Sequence, residues 1–214
     1  MSVEIIQGDC REQRTMQDRV RLYQERFPRW PAPQAVGDSL YGVFAIGNNY
    51  SRKKGYPGEY PRTYLDRIRA LFPETPLLHL FSGSIEPDSE HGIYCVDADA
   101  TTPADYHIRA ADIGSYWTKE FAVVLADPPY DKALSPEYAV ERPDKIKVIS
   151  AISEVIRPGG YLVWLDTRMP IWSKSDGWEW AGVIAVFGGT NRVLRGAFIL
   201  RKRLAVPQTA ELFK

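Results

Sequence analysis

The tetrapeptide Asp127-Pro128-Pro129-Tyr130 is where this sequence concentrates groups able to do chemistry. It follows directly on the apolar run Phe121–Ala126, which reads as a buried strand. A carboxylate at a strand end, followed by two prolines that fix the backbone and withhold two N–H groups, makes a turn rich in acceptors and poor in donors. Such a turn suits an exocyclic amine. The Asp127 side chain and the Pro128 carbonyl accept its two hydrogens while the Tyr130 ring stacks on the attached base. Standing alone, the same four residues also read as a rigid strand-to-loop turn.

Chemistry at a strand end needs a sheet to hold it. From Leu77 onward short apolar runs alternate with polar turns, predicting strands at Leu77–Phe81, Ile93–Val96, Tyr106–Ala110, Phe121–Ala126, Tyr161–Leu165, Val183–Phe187 and Gly196–Leu200. Between them, Lys145–Ile156 spaces Ile146, Ile149, Ile152, Val155 and Ile156 at helical intervals before Pro158-Gly159-Gly160. Strands alternating with a crossover helix predict an α/β fold with a mostly parallel sheet, in which ligands sit at the carboxyl ends of strands. Upstream lie an amphipathic helix carrying Val20, Leu22, Tyr23 and Phe27, a strand-like run Leu40–Ile46, a polar loop Gly47–Gly58 and a helix with Tyr64, Leu65, Ile68 and Leu71 on one face. This first third reads as an approach segment to the sheet.

Asp-Pro-Pro-Tyr at a strand end resembles the catalytic motif of the S-adenosylmethionine-dependent amino-methyltransferases that modify adenine N6 or cytosine N4 in DNA. Other landmarks follow the family's order. The turn Phe81-Ser82-Gly83-Ser84 after the first sheet strand resembles the cofactor-binding Phe-x-Gly-x-Gly loop, with Ser84 in place of the second glycine. Asp97 ends the second strand, where Rossmann-like sheets use an acid to accept from ribose hydroxyls, with Asp99 as a second candidate. Asp112 resembles the family's acid near the cofactor adenine, and a helix N-cap is its other reading. Asn48, Asn49 and Tyr50 precede the first sheet strand, where the family places a cofactor-contacting segment; a solvated turn is the alternative.

The resemblance implies a class I methyltransferase fold, Rossmann-like α/β, with a mostly parallel seven-stranded sheet and helices on both faces. Residues 1–76 are then an N-terminal extension packing on the cofactor site and residues 77–214 the catalytic core. One departure stands out: between Ser84 and Gly92 the chain is short and contains Pro87, so the helix after the first strand is very short or absent. That feature is similar to compact methyltransferase-like proteins of phage and prokaryotic genomes.

The implied reaction transfers a methyl group from S-adenosylmethionine to an exocyclic amine of a nucleic-acid base. Adenine N6 in DNA is favoured over cytosine N4 because Asp, rather than Ser, opens the motif. An RNA base methyltransferase and a catalytically silent cofactor- or nucleic-acid-binding subunit are the alternatives. Only Asp131–Lys145 and Thr167–Trp180 remain as recognition loops, which predicts relaxed sequence specificity, or a homodimer or specificity partner.

Composition removes other classes. The 214 residues are 44% hydrophobic and 25% charged, enough to build a core. The 27 basic and 27 acidic residues give a net charge of +0, so no global field draws in a polyanion and any grip on nucleic acid is local. The basic clusters are Arg52–Lys54 and the group Arg192, Arg195 and Arg201–Arg203, of which the last three read as a solvated face. Trp172, Trp178 and Trp180 read as packing groups or stacking platforms. Two cysteines, Cys10 and Cys95, make no disulfide framework. His79, His91 and His107 lack metal-ligand spacing, so no metal is expected. The sequence carries neither a signal-peptide pattern nor a run of membrane-spanning length, which predicts a cytoplasmic protein without a membrane partner.

Overall fold

A computed structural model describes residues 14–46, 60, 63–117, 120–129, 143–188 and 193–204. Its strands are β1 (Gln34–Val36), β2 (Ser39–Ile46), β3 (Leu77–Leu80), β4 (Ile93–Asp97), β5 (Tyr106–His107), β6 (Phe121–Ala126), β7 (Ile156–Asp166), β8 (Trp178–Gly188) and β9 (Leu194–Lys202). They form one sheet in the order β1-β2-β8-β9-β7-β6-β3-β4-β5. β9 runs antiparallel to both β7 and β8, and β1 antiparallel to β2; the remaining pairs are parallel. Leaving aside β1 and β2, seven strands with the last inserted antiparallel between the fifth and sixth make the class I methyltransferase arrangement that the motif predicts.

The sheet is two strands wider than predicted. The Leu40–Ile46 run, read as part of an approach segment, is a sheet member that pairs in parallel with β8 from Leu40↔Gly182 to Ile46↔Gly188. Gly182 makes this pairing sterically feasible. At φ +125° it brings its Cα so close to β2 that a Cβ would lie 2.0 Å from the Leu40 carbonyl oxygen, a distance that only glycine tolerates. Other strand limits also moved. β5 keeps only two residues of the predicted Tyr106–Ala110, because the chain turns at once into a 3-10 helix, Ala110–Asp112. β7 starts at Ile156 and carries Pro158-Gly159-Gly160 inside it, where the register against β6 shifts between Phe121 and Val123. That irregularity accommodates a proline in a central strand: the helix ends at Val155, ahead of Pro158 as the sequence predicts, but the strand begins at Ile156 rather than Tyr161.

Helices α1 (Met16–Arg26), α2 (Tyr64–Leu71), α3 (Ile113–Tyr116) and α4 (Lys145–Val155) cover the sheet. α1 opens on a capping box in which Thr15 Oγ1 accepts from the Asp18 N–H and the Asp18 carboxylate accepts from the Thr15 N–H. It buries Met16, Arg19, Val20 and Tyr23, a stripe at i, i+3, i+4, i+7. Met16, Val20 and Tyr23 join side chains of α2 in one apolar core with Leu77, Leu125, Val163 and Ile199 from the sheet. On the opposite face α3 and α4 enclose a second core with Leu78, Val124, Leu162 and Trp164.

Two buried arginines bind the first helix layer together. Arg67 lies with its guanidinium 3.7 Å from the Phe44 ring centroid, and its Nε donates to Tyr23 Oη at 2.7 Å. Arg19 lies over both the Phe72 and Tyr161 rings and donates to the Leu71 carbonyl and the Glu74 carboxylate. Burial alone pushes the Glu74 carboxyl up, but the Arg19 charge and the Arg19 and Arg14 hydrogen bonds outweigh it and leave it below its ordinary value.

Candidate active site at the switch point of the sheet

Strand order reverses between β3 and β6. The chain proceeds from β3 outward to β4 and β5, then returns to β6 and proceeds the other way through β7. In open parallel sheets the crevice at such a switch point, beyond the carboxyl ends of the strands, is where ligands bind. The register Leu80↔Ala126 places the first residues after β3 beside the first residues after β6. Phe81–Ser84 and Asp127-Pro128-Pro129 therefore flank this crevice.

The turn after β3 is tightly built. Phe81 has φ +58° and Gly83 φ +54°, so a non-glycine residue holds a left-handed conformation at the point where the strand ends. Such strain persists only where the surroundings enforce it. Here the Ser82 N–H donates to the Val96 carbonyl at 3.2 Å, the Ile85 N–H donates to the Ser82 carbonyl at 3.1 Å, and the Gly83 N–H donates to Asp97 Oδ2 at 2.9 Å. Ser82 and Gly83 are buried, whereas Ser84 is exposed. No full helix follows: among the described residues the link to β4 contains only a 3-10 helix, Ser89–His91, so Asp97 holds the turn that a helix would otherwise buttress.

Asp97 works on both sides. Its Oδ1 accepts from the Asp99 N–H at 2.9 Å. A carboxylate offers roughly four acceptor sites, so two such bonds leave capacity for ligand hydroxyls. Asp99 folds back on its own turn, accepting from Thr101 N and Oγ1 at 2.9 and 2.7 Å. Of the two acids, Asp97 thus borders the crevice and Asp99 shapes the turn beside it. Asp112 stands exposed before α3 and makes no side-chain capping bond there. Asn48, Asn49, Tyr50 and Tyr130 lie outside the described residues, as do Arg52–Lys54 and Arg192.

Asp127 is 7% exposed and Pro128 is buried, with Pro129 half-buried beside them. Arg195 of β9 directs Nη1 to 3.9 Å from Asp127 Oδ2, and its side chain is only 11% exposed. Tyr64, the first residue of α2, is fully buried facing both charges. Burial, and next the Asp127 charge, push its phenol well up, with Arg195 opposing. The structure corrects the reading of Arg195 as part of a surface basic cluster: antiparallel insertion of β9 turns it inward. The neighbouring basic residues are engaged as well. Arg201 pairs with Glu179 at 3.1 Å, Arg203 pairs with Glu179 at 3.4 Å, and Lys202 Nζ donates to the Asp176 carbonyl at 2.6 Å.

Sequence reading also missed Asp166, the last residue of β7 and 2% exposed. Its carboxylate accepts from Lys145 Nζ at the start of α4, from Trp164 Nε1 at 3.1 Å and from Thr167 N at 2.7 Å. An acid after an apolar strand was the signal that found Asp127, and Leu162–Leu165 before Asp166 gives the same one. Nothing local marks Arg195 or Tyr64, whose roles depend on which strand and helix meet.

Other titratable groups near the crevice are quiet. Burial, with Arg69 adding to it, pushes His79 down to about 3, so its imidazole is neutral. Burial and then Asp105 push the Cys95 thiol up to about 12. A neutral thiol is a poor nucleophile. Among the described residues no cluster of three or more His, Cys, Asp or Glu has the geometry to hold a metal ion, and no helix is long and apolar enough to cross a membrane. What the crevice offers is acceptors and a fixed backbone, an arrangement suited to orienting a donor group.

No family model matches the chain, and no curated protein matches it. Among solved structures it is similar to TrmN from Thermus thermophilus, at 16% identity over 59% of this chain and 43% of that one, with a TM-score of 0.39. It is similar also to a candidate hemolysin from Streptococcus thermophilus, at 12% identity over 74% and 72% of the two chains, TM-score 0.42. A third is an rRNA methylase from Streptococcus thermophilus, at 9% identity over 59% and 86%, TM-score 0.35. The chain spans less than half the length of TrmN.

Proposed function

We propose that this chain is an S-adenosylmethionine-dependent methyltransferase acting on an exocyclic amine of a nucleic-acid base, adenine N6 in DNA. The observation that carries this reading is the pairing of Leu80 with Ala126, which sets the Phe81–Ser84 turn against Asp127-Pro128-Pro129 across the switch point. Cofactor and amine sites have to be adjacent for a direct transfer, and these two turns are.

The residues present fit the cofactor. Ser82, Gly83 and Asp97 form a hydrogen-bonded rim with unspent acceptor capacity on the acid, and Asp112 stands exposed after β5. These residues hold it, with Phe81, Ser84 and Asp99 shaping the rim and Asn48, Asn49 and Tyr50 supplied by the segment ahead of α2. S-adenosylmethionine, when bound, supplies a methyl group activated by its attachment to a positively charged sulfur.

The chain itself supplies orientation. The Asp127 carboxylate and the Pro128 carbonyl accept the two amine hydrogens and aim the nitrogen lone pair, while Tyr130 stacks on the base. Fixing two reactants in line contributes several orders of magnitude in rate. No strong base is needed, since an amine that has gained a methyl group is cationic and sheds its proton readily. The neutral His79 and Cys95 are consistent with this economy.

The test is transfer of a labelled methyl group to DNA and RNA followed by nucleoside analysis. N6-methyladenine in DNA is expected, with label lost in Asp127→Ala. Label in RNA alone would move the substrate to RNA, and failure to bind S-adenosylmethionine in calorimetry would refute the enzyme reading altogether.

A further inference from the structure

Residues of β9 alternate between the two cores: Ala197 and Ile199 belong to the α1/α2 side, Leu200 to the α3/α4 side. Arg195 therefore lies on the α1/α2 side, at the end of β9 that meets the carboxyl end of β7, where Gly196 pairs with Asp166. There its guanidinium lies 3.9 Å from Asp127 Oδ2, with the two side chains 11% and 3% exposed. Tyr64 of α2 faces both charges from a fully buried position. Three elements distant in sequence thus bring a cation, an anion and a phenol together beneath the amine site.

An arginine that grips phosphate displays its guanidinium to solvent. Arg195 does the opposite. A carboxylate as buried as Asp127 is costly to keep charged unless a cation and hydrogen bonds compensate it. Once protonated, it would present an O–H where the site needs an acceptor. We infer that Arg195 is a positioning residue that keeps Asp127 ionised and draws Oδ2 to itself, so that Oδ1 and the Pro128 carbonyl receive the amine. This rests on the amine-methyltransferase reading for its purpose, but not for the interaction itself. Arg195 and Tyr64 are the charged and titratable groups that β9 and α2 turn toward Asp127. Ion pairing weakens the carboxylate as a proton acceptor while preserving it as a hydrogen-bond acceptor, which matches a reaction that orients the amine without first deprotonating it.

The experiment is a double-mutant cycle combining Arg195→Met and Arg195→Lys with Asp127→Asn, read by single-turnover methyl transfer at saturating cofactor. Alongside it, 13C NMR of aspartate-labelled protein at neutral pH reads the Asp127 carboxyl, assigned by its loss in Asp127→Asn. Arg195→Met is expected to lower the rate on the order of 100-fold, the scale for removing one preorganised electrostatic group. Cofactor affinity and KM for the oligonucleotide should stay within about threefold, and Arg195→Lys should restore most of the rate. In the Asp127→Asn background the same change should cost less than about twofold, because the partner charge is already gone. The carboxyl resonance should move toward the protonated position in Arg195→Met and remain in place in Arg195→Lys. A raised KM with an unchanged rate and carboxyl signal would make Arg195 a phosphate contact and overturn the inference. Equal losses in both backgrounds would overturn it too. If the wild-type chain transfers no methyl group, the proposed function fails, and the carboxyl signal still decides whether Arg195 governs the charge of Asp127.

Discussion

The Gly83 N–H donates to Asp97 Oδ2 at 2.9 Å, joining the turn after β3 to the acid after β4. In this chain the link between those strands is too short for a packed helix, so the bond substitutes for one. Asp97→Asn exchanges one acceptor oxygen for a donor, which must then face either the Gly83 or the Asp99 N–H. The variant should fold but bind S-adenosylmethionine about tenfold more weakly, since a misplaced donor in this half-buried turn costs on the order of 1–2 kcal/mol. Calorimetric titration checks this, and unchanged affinity would show that Asp97 serves neither the turn nor the cofactor.

Lys145 and Asp166 make a comparable tie on the other side of Asp127. The carboxylate is 2% exposed while the lysine is about a quarter exposed, so removing the lysine strands a buried charge that, among the described residues, retains its Trp164 and Thr167 donors. Lys145→Met should destabilise the fold by roughly 2–3 kcal/mol, somewhat below the usual cost of breaking a fully buried pair because the lysine is in part solvated. Adding Asp166→Asn should recover much of that loss in urea unfolding. An additive outcome would mean that the two residues do not act as a pair.

Arg67 calls for a test of packing rather than charge. Its guanidinium rests on Phe44 and near Trp30, and its Nε meets the Tyr23 hydroxyl, so one side chain fastens α2 to α1 and β2. Arg67→Ala leaves a cavity, an unpaired phenol and no cation–π contact. A loss of roughly 3 kcal/mol is expected in denaturant titration, with Arg67→Met, which refills the volume, losing about half as much. Identical losses in the two variants would assign the effect to the guanidinium's own interactions rather than to packing volume.

The legible and illegible parts of this molecule divide along one physical line. The strand-end positions of Asp127 and Asp97 were readable because each closes an apolar run of its own, and such local patterns survive in the sequence. The helix Lys145–Val155 was readable from the spacing of its isoleucines. Arg195 was not, because its meaning depends on β9 being inserted antiparallel beside β7, a fact about strand order that no neighbouring residue encodes. For the same reason Leu40–Ile46 looked like a strand yet gave no sign of its partner, which is β8, more than half the chain away. Pro158 correctly marked the end of the helix, but its usual exclusion from strands hid the early start of β7 at Ile156, where an irregular register accommodates it.

His79 gives the sharpest prediction about pH. It sits in β3 between Leu78 and Leu80, buried, with its Nδ1 lacking a hydrogen-bond partner among the described residues. Burial, reinforced by Arg69, lowers it from 6.5 to about 3. The unfolded chain therefore takes up a proton below about pH 6.5 that the folded chain refuses until about pH 3, and stability must fall with pH across that window. Between pH 7 and pH 5 this one group should remove about 2 kcal/mol from the unfolding free energy, because the unfolded imidazole gains roughly 1.4 kcal/mol per pH unit below its ordinary value. His79→Leu, which abolishes the titration, should lack that slope while other acid-sensitive groups keep theirs. Urea unfolding of both proteins at pH 7 and pH 5 makes the comparison. Parallel declines in the two would mean that His79 is protonated in the native state and that some unseen partner satisfies its ring.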